Sequence, residues 1–68
     1  MVLGFDDNRL LPLLFGAYDR HLARIEQALG VRLASRGNKV AISGSESGVM
    51  LAGDTLNALY QRLEKNLP

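Results

Sequence analysis

The sequence predicts an α+β two-layer sandwich in which three helices cover one face of a three-stranded sheet, in the order β-α-α-β-β-α. Two segments, after residues 19 and 45, repeat apolar residues at helical spacing. Between them, residues 31–43 change to a period of two around a Gly-Asn pair, which is typical of a β-hairpin. A short β-prone segment at residues 2–5 supplies the third strand.

The first strand is expected to end at the acidic cluster that precedes Asn8, because such residues favour turns and helix caps. Asn8 is predicted to cap a short helix over residues 9–15. Pro12 lies near the start of this helix, where its missing N–H costs least. Gly16 is expected to end the helix.

The second helix is the clearest in the chain. Asp19 is predicted to be its N-cap and Gly30 its left-handed C-cap. At 100° per residue, one face carries the apolar residues Leu22, Ile25 and Leu29. The opposite face carries Arg20, Arg24 and Gln27.

The hairpin is predicted to turn at Gly37-Asn38, and Ser45 to cap the last helix. Gly48 and Gly53 weaken this last helix, so close backbone packing is expected at one or both. Its core stripe is expected to comprise Val49, Ala52, Leu56, Leu59, Tyr60 and Leu63.

Length and composition limit the function classes. Sixty-eight residues, 47% of them hydrophobic, are expected to form a single domain over residues 1–68. The absence of cysteine excludes disulfides and thiolate metal sites, and His21 alone cannot build a metal site. A net charge of +1 gives no general attraction for nucleic acid. The longest apolar run is too short to span a bilayer, so a cytoplasmic protein is expected.

The turn at Gly16-Ala17-Tyr18-Asp19 is the main functional candidate, because it stands at a helix N-terminus where free N–H groups can hold a phosphate. Arg20, His21 and Arg24 add positive charge to the first turns of the helix. Asp19 has the opposite effect: at about 5 Å its carboxylate repels a phosphate by about 1–3 kcal/mol.

Several runs together resemble the N-terminal domain of the bacterial PhoH-like (phosphate-starvation-inducible) proteins. These runs are Phe5-Asp6-Asp7-Asn8, Leu14-Phe15-Gly16, Leu22-Ala23-Arg24-Ile25-Glu26, Leu29-Gly30-Val31, Arg36-Gly37-Asn38 and Ile42-Ser43-Gly44. The resemblance covers nearly the whole chain and implies a type I KH-like domain that binds RNA or single-stranded DNA. In that family such a domain precedes a P-loop ATPase. The chain has no P-loop, so ATP and magnesium are implied only for that attached domain, and no cofactor is expected here.

The KH signature is a GxxG loop that clamps nucleic-acid backbone. Gly16, Ala17 and Tyr18 match its first three positions, and Asp19 replaces the second glycine. The resemblance therefore implies a weak nucleic-acid groove beside this turn, where Arg20, Arg24 and Arg36 contact the backbone. Arg32 and Lys39 of the hairpin extend the basic strip.

Each of these features has a simpler alternative. The cations can be merely solvated, with Arg20 and Arg24 paired to Glu26 or Asp19, and the Tyr18 ring can pack on Leu14 or Leu22 instead of stacking on a base. His21 is expected to be exposed, and no catalytic residue is expected, since the Asp6-Asp7 pair has no partner acid or base. The alternative function is a protein-interaction domain whose loop is disabled by Asp19. An apolar patch of Met50, Leu51 and Leu67 would then dock the ATPase domain or support self-association.

Overall fold

The computed structural model describes residues 1–66 and has a three-stranded antiparallel sheet packed against helices. The α+β class and the three-stranded sheet are therefore confirmed. Helix α1 is a single five-residue turn, so α2 and α3 provide most of the helical layer. The elements are β1 Val2–Gly4, α1 Leu11–Phe15, a 3₁₀ turn Ala17–Asp19, α2 Arg20–Leu29, β2 Arg32–Arg36, β3 Lys39–Ser43 and α3 Glu46–Lys65.

Strand β3 lies in the centre of the sheet, between β1 and β2, and is antiparallel to both. Ala41 of β3 lies opposite Val2 on one side and opposite Ala34 on the other. Its neighbours Val40 and Ile42 are buried, while Ala41 itself is exposed. Because side chains alternate along a strand, one face of the sheet packs on the helices and the other is open to solvent.

The core lies between the inner face of the sheet and the helices. Tyr60 of α3, predicted to be a core residue, is buried and stacks on Phe5 with ring centroids 4.8 Å apart. Its hydroxyl accepts a hydrogen bond of 2.8 Å from the backbone N–H of Asp7, so its polar end is satisfied. The fully buried side chains are Leu10, Leu14, Leu56 and Val40.

Both glycines of α3 lie where a neighbouring group comes close. A Cβ on Gly48 would lie 3.0 Å from the carbonyl oxygen of Leu29 and 3.0 Å from Cγ1 of Val31. A Cβ on Gly53 would lie 2.9 Å from the sulfur of Met1. The predicted close backbone packing is confirmed at Gly48, where the Leu29 carbonyl oxygen leaves no room for a Cβ; at Gly53 the close neighbour is the flexible side chain of Met1.

The predicted ends of several elements are also confirmed. The Ser45 hydroxyl accepts a hydrogen bond of 3.1 Å from the Gly48 N–H and so caps α3. Gly30 ends α2 in the left-handed conformation, with φ 66° and ψ 35°. Gly37 has φ 59° in the two-residue turn between β2 and β3. Strand β1 ends at Gly4, one residue earlier than the sequence suggested.

The start of α1 differs from the prediction. Asn8 does not cap it, because the helix begins at Leu11 instead of Arg9. The reason is local: the Asp7 carboxylate accepts a hydrogen bond of 3.0 Å from the Arg9 N–H. This bond closes a turn over residues that would otherwise form the first turn of the helix. Pro12 then lies in the first turn of the shortened helix.

Candidate nucleic-acid interface

The turn between α1 and α2 is built around Gly16. Its φ of 79° is one that residues with a side chain rarely adopt. A Cβ at this position would also lie 2.9 Å from the imidazole of His21. The Nδ1 atom of this imidazole lies 3.1 Å from the Leu14 carbonyl oxygen, within hydrogen-bonding distance. His21 is exposed, as predicted, but it also fixes the turn against the end of α1, which the sequence did not indicate.

Tyr18 and Asp19 both have left-handed backbone conformations, with φ 55° and ψ 35° for Tyr18 and φ 56° and ψ 32° for Asp19. Two consecutive non-glycine residues in this region are costly, at about 1–2 kcal/mol each. The Tyr18 side chain is fully exposed, at 102% of its reference area. The alternative in which its ring packs on Leu14 or Leu22 is therefore wrong.

Asp19 lies at the N-cap position of α2, as predicted, but it does not act as a cap. In the described part of the chain, its carboxylate accepts no hydrogen bond from the helix N–H groups. The physical reason is its left-handed backbone, since a capping side chain needs an extended conformation to reach those groups. The expected competition between Asp19 and a phosphate for the same N–H groups is thus replaced by a simple charge repulsion.

Arg20 and Arg24 lie one turn apart on the exposed face of α2. Within residues 1–66 the one ion pair joins Arg9 to Asp7, at 2.8 Å. Hydrogen bonds from the Arg9 side chain hold the pKa of the Asp7 carboxyl below its usual value.

Neither Arg20 nor Arg24 takes part in an ion pair within residues 1–66. The alternative in which they form ion pairs with Asp19 or Glu26 is therefore wrong, and both arginines are available to a ligand.

Glu26 makes a contact that the sequence did not predict. Its half-buried carboxylate accepts a hydrogen bond of 2.9 Å from the backbone N–H of Leu33, and so joins α2 to the outer edge of β2. This bond satisfies one of the free backbone donors of an edge strand, which would otherwise invite pairing with another chain. It also puts a negative charge between α2 and β2, which disfavours a phosphate in that position.

A cleft lies beside the turn, between α1, the start of α2 and the end of α3. Its volume is about 280 Å³, close to the lower limit for small-ligand pockets. Leu13, which is 58% exposed, lines one side of the cleft, and His21 forms part of its wall. Arg62 adds a cation from α3. The full lining is Leu13, Leu14, His21, Leu59, Arg62 and Leu63. This cleft was not predicted from the sequence, because its lining residues lie far apart along the chain.

The predicted basic strip is divided between two layers. Arg20 and Arg24 lie with the turn on the outer face of α2, which packs its buried residues toward the core. Arg32, Arg36 and Lys39 lie on the open face of the sheet, in alternation with the residues that face the helices. The structure therefore brings together residues 16–20 and Arg24, and it separates them from the three cations of the hairpin.

Three further features concern a partner surface, metal ions and membranes. Met50 and Leu51 are exposed on α3, at 58% and 54%, whereas Leu67 lies outside the described residues. Over residues 1–66, no cluster of His, Asp or Glu side chains is arranged to hold a metal ion. None of the helices in this range combines the length and the apolar character needed to cross a membrane.

A comparison of the chain with protein-family models, with curated proteins and with solved structures found no match. Function is therefore inferred from the geometry of the chain and from the resemblance that its residues carry.

Proposed function

We propose that this chain is a KH-like domain that binds single-stranded RNA or DNA at the turn of residues 16–19. The order of its elements and the strand order β1-β3-β2 are compatible with a KH-like arrangement. The observation that carries the proposal is the conformation of Tyr18: its ring is fully exposed on a left-handed, strained backbone. Strained residues of this kind cluster at functional sites, and an exposed ring is a platform on which a base can stack.

The phosphate contacts in this proposal come from Arg20 and Arg24, with a base against the apolar wall of the neighbouring cleft. Two phosphate contacts to a single strand predict a modest salt dependence, with affinity falling about sevenfold between about 50 and 200 mM salt. Binding by the isolated domain is therefore weak, and it gains strength when other domains hold the same strand. The family resemblance extends the proposal to an attached P-loop ATPase that receives the nucleic acid.

The experiment is an amide-resolved NMR titration with short single-stranded RNA and DNA at low and physiological salt. Shifts concentrated on residues 16–24 and on the cleft beside them support the proposal. Unchanged spectra at millimolar ligand contradict it for this domain. Arg36→Gln, on the other layer, is the matched control for Arg24→Gln: the first is expected to leave affinity unchanged, and the second to lower it.

A second candidate function is a KH-like scaffold for protein assembly. The observation in its favour is that two carboxylates flank the proposed site, Asp19 in the turn and Glu26 beside β2. Asp19→Gly distinguishes the two candidates. If the turn binds phosphate, removing the charge raises affinity, and the helix loses no cap because Asp19 makes no capping bond within residues 1–66. An unchanged affinity would favour the scaffold.

A further inference from the structure

The face of the sheet that points away from the helices has an unusual composition. Its central row crosses all three strands and consists of small apolar residues, with Val2 opposite Ala41 and Ala41 opposite Ala34. All three residues are exposed, and Val2 is 63% exposed. The solvent face of an antiparallel sheet is usually polar, so an apolar central row indicates a surface that is covered in use. We call this surface the open sheet face; its side chains are those of Val2, Arg32, Ala34, Arg36, Lys39, Ala41 and Ser43.

Cations stand on both sides of this apolar row. Arg32 lies at one end of β2 and Arg36 at the other, about 13 Å apart along the strand. Arg36 lies directly opposite Lys39 on β3, so two like charges face each other across the ladder. The third position in that row is Gly4, which has no side chain to shield them. Like charges in directly opposed positions destabilise a hairpin, so this pair is a cost that an anionic partner would relieve.

The charge of the chain is strongly divided between its faces. The open sheet face holds three of the eight Lys and Arg residues, and within the described residues none of the seven Asp and Glu residues lies on these strands. The rest of the chain holds five basic and seven acidic residues, so it is negative overall. The net charge of +1 conceals this division.

We infer that the open sheet face docks an amphipathic helix of a partner protein or domain, with apolar residues on the central row and carboxylates at the two basic flanks. A second copy of the same face is disfavoured, because three cations would meet three cations. A nucleic-acid strand is disfavoured because the described residues place no aromatic ring on this face and a phosphate backbone gains nothing from the apolar row. An acidic helix uses both features of the surface.

The test uses a synthetic helix of about four turns with a leucine stripe flanked by glutamates, titrated against the full chain and followed by amide NMR. The expected result is shifts confined to the three strands. Arg36→Glu combined with Lys39→Glu keeps a like-charge pair while reversing its sign, and it is expected to lower affinity at least about tenfold. Val2→Glu, at an exposed position of the edge strand, tests the apolar row separately. Lys65→Glu on α3, an exposed residue with no part in either proposed surface, is the control and is expected to leave peptide affinity unchanged.

Several results would overturn the inference. One is no binding of the helix, or shifts that fall on α2 and α3. Another is equal binding of a peptide with the same composition whose leucines are scattered, because the apolar row would then play no part. Tighter binding of oligouridine or of anionic lipid vesicles to the same strands would assign the surface to a polyanion instead. Since no nucleic acid is present in the peptide titration, its outcome is independent of whether the turn at residues 16–19 binds a strand.

Discussion

Replacement of Tyr18 separates the two properties on which the proposed function depends, the strained backbone and the exposed ring. Tyr18→Gly removes the steric cost of a left-handed residue, about 1–2 kcal/mol, and adds the greater backbone entropy of glycine, about 0.5–1 kcal/mol. The ring is fully exposed, so its removal costs no packing. The net expectation is a gain in stability of about 0.5–1 kcal/mol, or about 2–8 °C in the unfolding midpoint of a domain this small.

Tyr18→Ala is the matched control, because alanine keeps the Cβ and therefore the strain while removing the ring. Its stability is expected to remain within about 0.5 kcal/mol of the parent. Both variants lose the stacking surface, which is worth about 1–3 kcal/mol per base. Affinity for single-stranded RNA is therefore expected to fall in both by about fivefold or more, whatever their stability.

Thermal unfolding by circular dichroism and fluorescence anisotropy with labelled oligonucleotides provide the two measurements. A Tyr18→Gly variant that is less stable than the parent would contradict the assigned backbone strain, because the side chain would then make contacts that hold the turn. The proposed role of the ring fails if Tyr18→Ala binds RNA as tightly as the parent. A gain in stability with unchanged affinity would leave the strain without a stacking function and favour the scaffold.

Three further predictions address other parts of the chain. Gly16→Ala is expected to destabilise the fold by about 1–3 kcal/mol in chemical denaturation, because it combines an unfavourable φ with a clash against His21. Arg36→Glu should stabilise the fold by about 0.2–1 kcal/mol, since it turns the repulsive pair with Lys39 into an attractive one; no gain at low salt would show that the side chains already avoid each other. Because the pKa of Asp7 is lowered in the folded chain, its ionised carboxylate stabilises the fold slightly above about pH 4, and this stabilisation is lost as the pH falls further. An Asp7→Asn variant should lack this part of the pH dependence of stability. Identical pH profiles of stability for the parent and the variant would contradict this prediction.

The regular elements could be predicted from the sequence because their signals are local. The helical spacing of Leu22 and Ile25, the alternation around Val40 and the hydroxyl of Ser45 each indicate structure without knowledge of distant residues. Asn8 is the exception: it is a good capping residue by type, but the Asp7 side chain accepts a hydrogen bond from the Arg9 N–H and forms a turn there instead.

The candidate site was less predictable, because backbone conformation and long-range contacts decide it. Asp19 is a good capping residue by type, but its backbone is left-handed and, within residues 1–66, its carboxylate makes no hydrogen bond to the helix N–H groups. Glu26 resembled a surface partner for the arginines of its own helix, and instead it bonds Leu33 across a distance of seven residues. The division of the basic residues follows from strand alternation, which the sequence did show. The relation of those strands to α2 required the fold.

The positions of the two carboxylates determine which side of α2 can receive a nucleic-acid strand. Glu26 lies on the β2 side of α2, where its carboxylate accepts a hydrogen bond from the backbone N–H of Leu33 on the edge strand. Its negative charge repels a phosphate on that side. On the opposite side, Arg62 and the imidazole of His21 line the cleft without an acidic residue among the side chains that form it. A strand that stacks a base on Tyr18 therefore encounters less repulsion by turning toward α3 than by following the groove toward the hairpin. Arg62→Glu should accordingly weaken binding more than Arg32→Glu, and the reverse order would place the strand along β2.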